Sequence, residues 1–348
     1  MTHQPPESDW IEFDDTITES DVKRMAKAPG LAAVQAAAPV CEATWKVLEE
    51  HLFAVRPDVE LRVYGHYGGV CDLSFIRFVP SVRRFSADGL QAASNLEAIS
   101  SLSLLEHLGV GVYDAQSFEF LRDVSPRLSR LFLGRTQSKK PDLAPLARFQ
   151  ELSTLYLEGQ HKNIEVLAGL QGLEDVTLRS ITTPDLNYLR PLDKLWSLDI
   201  KLGGVRNLEA LESLGGLKYL ELWQVRGLSD ISVVSQLAEL QNMFLQSLSL
   251  VREIPPVDGL ASLRRVGLEG MKGLGDLGAL EHAPGLEEFF LVAGNKLQPT
   301  QLLPVLRNPN VQRVSAGFGT DAKNAEFHRL RELHGKAHWV GRRPFQYS

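Results

Sequence analysis

Residues 217–222 read Leu-Lys-Tyr-Leu-Glu-Leu, and the spacing of their apolar positions, L-x-x-L-x-L, recurs along most of the chain. The same frame begins at Val82, Leu105, Leu128, Leu152, Leu173, Leu195, Leu217, Leu240, Leu263, Leu286 and Val311, in steps of 21 to 25 residues. A weaker frame, Val59, Leu61 and Val63, lies one period upstream. Self-similarity at this period marks a solenoid, in which a unit too small to bury its own apolar face buries it against its neighbours. Within each frame the two-residue period of a strand turns the second and third apolar side chains inward. It turns the residues at the third, fifth and seventh places to the opposite face.

The return path is also legible. Asp142-Leu143, Asp185-Leu186, Asn207-Leu208, Asp230-Ile231 and Asp276-Leu277 each set a capping residue before an apolar one, and apolar residues then follow about three apart, as in Ile164, Leu167 and Leu170. That spacing suits a 3₁₀ or short α turn leading back to the next parallel strand. Strands pack more closely than helical segments, so an α/β solenoid is expected with its parallel sheet on the concave side and short helical or 3₁₀ segments on the convex side.

With these repeats the chain resembles the leucine-rich repeat proteins, in particular the short-repeat class of bacterial internalins and phosphatase regulators. The resemblance covers roughly residues 56–320, about 12 repeats of 21–25 residues, and implies a horseshoe. One departure stands out. The family usually carries an Asn three residues after the last Leu of the frame, where its amides form a ladder. Here that place holds Leu90, Tyr113, Thr136, Gln160, Ile181, Gly203, Val225, Leu248, Met271, Gly294 and Gly319. The turns after the strands are therefore expected to be held by packing.

Residues 1–20 contain Glu7, Asp9, Glu12, Asp14, Asp15 and Glu19 without a Lys or Arg, the composition of an acidic flexible tail whose removal up to residue 18 leaves stability unchanged. Trp10, Ile11 and Phe13 make a docking motif within it the competing reading. Residues 21–55 read as three short helices, the first stopping near Pro29, a second Ala-rich one ending at Pro39, and a third from about Val40 to Ala54. Together they form an N-terminal cap over the first repeat. Residues 321–348 form the C-terminal cap, a helix over 321–334 followed by an edge strand near His338 to Phe345, with Arg342-Arg343 a solvated end.

The 348 residues are 44% hydrophobic with a net charge of −6, without the basic excess of a general nucleic-acid or anionic-membrane binder. Cys41 and Cys71 are too few for a disulfide framework, and no signal-peptide pattern or apolar run of membrane-spanning length occurs. These features point to the cytoplasm, and the internalin resemblance to a bacterial source. Metal sites combining Cys41 or Cys71 with His51 or His66, or joining His328, His334 and His338, match no ligand spacing and read as structural. No phosphate loop, H-E-x-x-H or nucleophile turn occurs, so neither enzyme chemistry nor a cofactor is expected.

The outward strand positions carry Arg84, Arg130, Arg179, Lys201, Arg265 and Arg313 against Asp88, Glu158, Asp175, Asp199, Glu221, Glu269 and Glu288. The signs balance, which suits a protein partner better than nucleic acid. The same positions hold Phe132, Tyr156, Tyr219, Trp223, Phe244 and Phe290. Aromatics among scattered charges are the composition of a protein-binding hot region, although each can instead pack across the ladder. Asp199 and Glu221 fall side by side on adjacent strands, so they need a cation, either Lys201 or Arg179 of this chain or one supplied by a partner. The reading is a non-enzymatic interaction scaffold whose concave sheet face binds a protein through Phe132, Tyr156, Asp199, Tyr219, Glu221, Trp223, Phe244 and Phe290. A neutralising partner of a toxin or effector would use the same face, and an enzyme would need a site assembled across repeats.

Overall fold

The computed structural model describes residues 9–66, 69–138, 141–292, 297–339 and 345–348. The chain divides into two compact units, Met1–Gly172 and Leu173–Ser348. In the first, strands β1 (Trp10–Phe13), β2 (Ala33–Ala36), β3 (Glu60–Tyr64), β5 (Arg84–Leu90), β7 (His107–Val112), β8 (Arg130–Leu133) and β9 (Thr154–Glu158) pair in parallel in that order. A separate small pair joins β4 (Val70–Asp72) to β6 (Ala92–Ser94). In the second unit β10 (Asp175–Arg179), β11 (Ser197–Lys201), β12 (Tyr219–Trp223), β13 (Asn242–Gln246), β14 (Arg265–Glu269), β15 (Glu288–Val292), β16 (Arg313–Gly317) and the short β17 (Ala337–His338) do the same.

The strands fall on the L-x-x-L-x-L frames in register: Leu198 stands beside Leu220, Leu220 beside Met243 and Met243 beside Val266, all fully buried. Most returns between the repeat strands run through a 3₁₀ turn, as at Glu209–Ser213 and Ser232–Gln236, whereas the return from β13 to β14 has none. All five expected capping residues accept a backbone N–H two residues on: Asp142 from Ala144 at 2.8 Å, Asp185 from Asn187 at 3.0 Å, Asn207 from Glu209 at 2.7 Å, Asp230 from Ser232 at 2.8 Å and Asp276 from Gly278 at 2.7 Å. Three hydrogen bonds, from Ala144 N–H, the Asn163 amide and Lys162, draw the Asp142 carboxyl down to about 2.

Packing takes the place of the amide ladder, since Leu90, Ile181, Val225, Leu248 and Met271 are all buried. Among the described residues at that place Gln160 carries an amide, its Nε2 donating to Gly134 O at 2.9 Å and Thr136 Oγ1 at 3.1 Å. A backbone ladder does the rest. The residue immediately after the strand is left-handed at Ser180 (φ 56°), Leu202 (57°), Gln224 (50°), Ser247 (56°) and Gly270 (59°). Its N–H donates to the carbonyl that ends the next strand, at Lys201, Trp223, Gln246, Glu269 and Val292 respectively, over 2.7–2.9 Å. The turn direction that the family takes from Asn is thus set here by backbone conformation, at a local cost wherever the residue is not glycine.

The N-terminal region departs from the expected tail and three helices. Trp10–Phe13 is strand β1, and the Ala-rich stretch expected to be helical contains strand β2. Between them lies helix α1 (Glu19–Ala26), capped by Thr18 and Asp21 in a reciprocal box. Helix α2 (Glu42–Leu48) follows and runs on through a wider turn at Glu49–Phe53. Alanine favours helix by propensity, but Val34 and Ala36 are fully buried between two strands, and the pairing outweighs it. Phe13 is buried and meets Trp45 of α2 edge-on at 5.6 Å. Asp15 Oδ1 accepts from Cys41 N–H and Thr44 Oγ1, both at 2.9 Å, so an acid of the expected tail caps α2.

At the other end helix α3 (Asp321–Leu333) buries Phe327 and Leu330; of the edge strand expected near His338 to Phe345, β17 (Ala337–His338) is seen, and residues 340–344 lie outside the described residues. Gly294 and the Arg342-Arg343 pair lie outside the described residues.

Candidate functional site

In the second unit the outward columns bring Asp199, Tyr219, Glu221 and Trp223 together. Asp199 stands directly across from Glu221 in the β11–β12 register. Lys201, one outward step along the strand, supplies the cation for both, with Nζ 3.0 Å from Asp199 Oδ2 and 3.3 Å from Glu221 Oε1. Tyr219 donates its hydroxyl to Glu221 Oε2 at 2.6 Å. Arg179, the other expected cation, lies over the ring of Trp223 at 5.8 Å. Asp199 Oδ1 is buried with no hydrogen-bond partner among the described residues.

Two carboxylates and one ammonium in a half-buried site set the electrostatics. Burial, then the charge of Glu221, pushes the Asp199 carboxyl up to about 7, with Lys201 opposing the shift. The Lys201 ammonium is itself held charged: burial works against it, but Asp199 and Glu221 together raise its pKa. Burial and the neighbouring carboxylates also raise the Tyr219 phenol.

Farther along the sheet, Phe244 and Phe290 stack at 5.8 Å with planes 27° apart, across the strand between them. That strand carries Gly267, and a Cβ there would lie 2.0 Å from Phe290 Cζ, so the glycine makes room for the ring. Trp339, beyond β17, continues the stack on Phe290 at 4.6 Å and donates its indole N–H to Glu288 Oε2 at 3.3 Å. Glu288 also pairs with Arg265 at 2.5 Å and Arg313 at 2.6 Å. Burial acts to raise its pKa, but those two arginines hold the carboxylate below its usual range.

The sequence reading missed what lies beside this strip. Residues Phe345–Ser348 run along the starts of strands β11 to β14, against side chains just before each strand and at its first residue. Tyr347 packs on Trp196 at 5.1 Å and edge-on to Tyr219 at 6.4 Å. The only sequence signal was the alternation Trp339, Phe345, Tyr347 after the last repeat, which does not say where the segment goes.

Phe132 and Tyr156 belong to the first unit, where they stack on each other at 4.2 Å and 19°. Phe132 also lines a cleft of about 420 Å³ with Trp10, Gln35, Glu60, Arg62 and Asp88. Arg62 clamps Asp88 at 3.0 and 3.1 Å and reaches Gln35 at 2.9 Å, so the cation of this cleft is engaged internally. Both cysteines are free thiols. Burial pushes the Cys71 thiol up to about 11, and its Sγ lies 3.9 Å from His66 Nε2. Among the described residues no group of three or more His, Cys, Asp or Glu is placed to hold a metal ion, and no helix is long and apolar enough to cross a membrane.

Parallel strands on a 21–25-residue frame, joined by 3₁₀ returns, define the leucine-rich repeat solenoid, and this is the fold of the chain. It is similar to the crystal structure of an internalin, InlF, from Listeria monocytogenes, with a TM-score of 0.59, 17% identity, and coverage of 88% of this chain and 90% of that one. It is likewise similar to a chain in the crystal structure of a TLR13–ssRNA13 complex, with a TM-score of 0.57, 19% identity and coverage of 89% of this chain and 47% of that one. No protein-family model matches the chain. No curated protein matches it either.

Proposed function

We propose that the chain is a non-enzymatic interaction scaffold and that the open sheet face of the second unit, the concave face in the leucine-rich repeat plan, binds a protein partner. One observation carries this reading. Tyr219, Trp223, Phe244 and Phe290 are half-buried in a single strip that also holds the Asp199–Lys201–Glu221 cluster. Aromatic anchors flush with a surface, beside charges whose own pairing is incomplete, are what a protein interface desolvates at its centre. Asp199 Oδ1 is buried without a hydrogen-bond partner among the described residues, and a side-chain shift on binding would open it to a donor of the partner. The fold similarity is consistent with a scaffold role, as repeat folds of this kind present extended binding faces, but function is carried by the site and not by the fold. Phe132 and Tyr156 form a separate patch in the first unit that would serve the same kind of contact. A cytoplasmic location in a bacterium completes the proposal, and a neutralising role toward a toxin or effector is a special case of it.

The test is capture of one stoichiometric protein by the full chain, followed by calorimetry with variants. Trp223→Ala, and the double change Asp199→Asn with Glu221→Gln, should each weaken binding by at least about 2 kcal/mol. Unchanged affinity in both would move the interface elsewhere.

A further inference from the structure

The segment Phe345–Ser348 is seated, not merely adjacent. Gln241, only 2% exposed, spends its amide on this segment: Oε1 accepts the Ser348 N–H and Nε2 donates to the Ser348 carbonyl, both at 3.1 Å. Lys218 Nζ donates to the same carbonyl at 2.6 Å, and Arg264 Nη2 donates to Gln346 O at 2.5 Å. Phe345 lies beneath the guanidinium groups of Arg264 at 4.7 Å and Arg265 at 4.9 Å. Tyr347, 36% exposed, rests against Trp196 and Tyr219, and its hydroxyl accepts from Asn242 Nδ2 at 3.2 Å.

These contacts divide cleanly by chemistry. The side chains that grip the segment through its backbone, Gln241, Lys218 and Arg264, would grip any sequence. The two aromatic sockets select side chains two residues apart, and the cations favour a segment without positive charge.

We infer that this groove is a recognition site for an extended segment of a partner protein with aromatic residues at alternate positions and neutral or acidic neighbours, and that residues 345–348 are its resident occupant, displaced on binding. The inference rests on the proposed open-face interface and names the part of the partner that fits it. A tethered occupant competes at an effective concentration in the millimolar range. A short free peptide therefore binds the intact chain poorly, and the natural partner needs added contacts, which the neighbouring Trp223 and Asp199 region offers.

The test uses the full chain and a blocked, fluorescein-labelled peptide Pro-Phe-Gln-Tyr-Ser, read by anisotropy. Phe345→Ala with Tyr347→Ala empties the sockets and should raise peptide affinity at least tenfold over the unaltered chain; adding Gln241→Ala should abolish the gain. A peptide with Ala at both aromatic positions should not bind. Ser348→Pro is a milder second variant that removes the N–H given to Gln241 and restrains the backbone at Tyr347 and position 348, so it should loosen the resident segment and raise affinity several-fold. Equal binding to the unaltered and double-variant chains, no binding to either, or no response to Ser348→Pro overturns the inference. Trp223→Ala makes none of the contacts described for the segment, so it should leave peptide affinity unchanged while weakening the protein partner. Loss of the partner effect alone refutes the interface reading, and loss of the peptide effect alone refutes the groove.

Discussion

Asp199 is the residue at which the local chemistry is most finely balanced. Its carboxyl is raised to about 7, from a value near 3.8. A group whose folded-state pKa lies above its unfolded one binds its proton more tightly when folded, so ionisation works against the fold. Below about pH 4 the carboxyl is protonated in both states and no penalty exists; the penalty grows between about pH 4 and 7 and is complete above that window. Asp199→Asn should therefore match the unaltered chain at pH 4 and exceed its stability at pH 8 by about 1–3 kcal/mol. Paired urea titrations at the two pH values check this, and a difference independent of pH would place the raised carboxyl elsewhere. Lys201→Met takes the opposite course. It leaves Asp199 and Glu221 facing each other with their shared cation gone, and at pH 8 should cost about 3–5 kcal/mol, less at pH 5 where Asp199 takes up a proton.

At the scale of the element, the repeat strand is where sequence and structure agree most closely, because a two-residue period and a buried face leave no freedom of register. Leu220, fully buried on β12 between neighbouring strands, should cost about 2–5 kcal/mol on truncation to Ala; less than about 1 kcal/mol in chemical denaturation would misplace the frame. The same certainty made the Asp199–Glu221 adjacency and the five caps legible in advance. The left-handed column was not legible, since Leu202 and Gln224 are not residues from which a positive φ is read. It makes a pair of opposite predictions. Gly270→Ala imposes a Cβ at φ 59° and 3.1 Å from Ser247 Oγ, and should destabilise by about 1 kcal/mol. Gln224→Gly, at an exposed position with φ 50°, relieves the same strain and should leave stability equal or raise it by up to about 1 kcal/mol. The Ala-rich stretch at β2 failed for the reverse reason, as local propensity pointed to helix and only pairing with two distant strands decided otherwise.

Across the whole chain, what the sequence hid lies at its two ends, where partners are not one repeat away. Gln241 and Ser348 are 107 positions apart, and no periodicity joins them. At the start of the chain, residues expected to be a dispensable tail instead complete the first unit. Removing residues 1–18 deletes β1, bares the edge of β2 and the Trp45 ring that Phe13 covers, and strips the caps of both following helices, Thr18 from α1 and Asp15 from α2. An unpaired strand edge invites association with another chain, and a lost cap costs about 1 kcal/mol for each helix. The deletion should lower the denaturation midpoint clearly and promote aggregation. Point variants separate the causes. Phe13→Ala should cost about 3–5 kcal/mol, the range for a buried aromatic, and Asp15→Ala about 1 kcal/mol through the lost cap. Trp10→Ala, at a ring 48% exposed, should cost much less than Phe13→Ala. If the 19–348 chain unfolded at the same denaturant concentration as the full chain, β1 would be a strand in geometry that adds nothing to stability, and the acidic segment would return to being a tail.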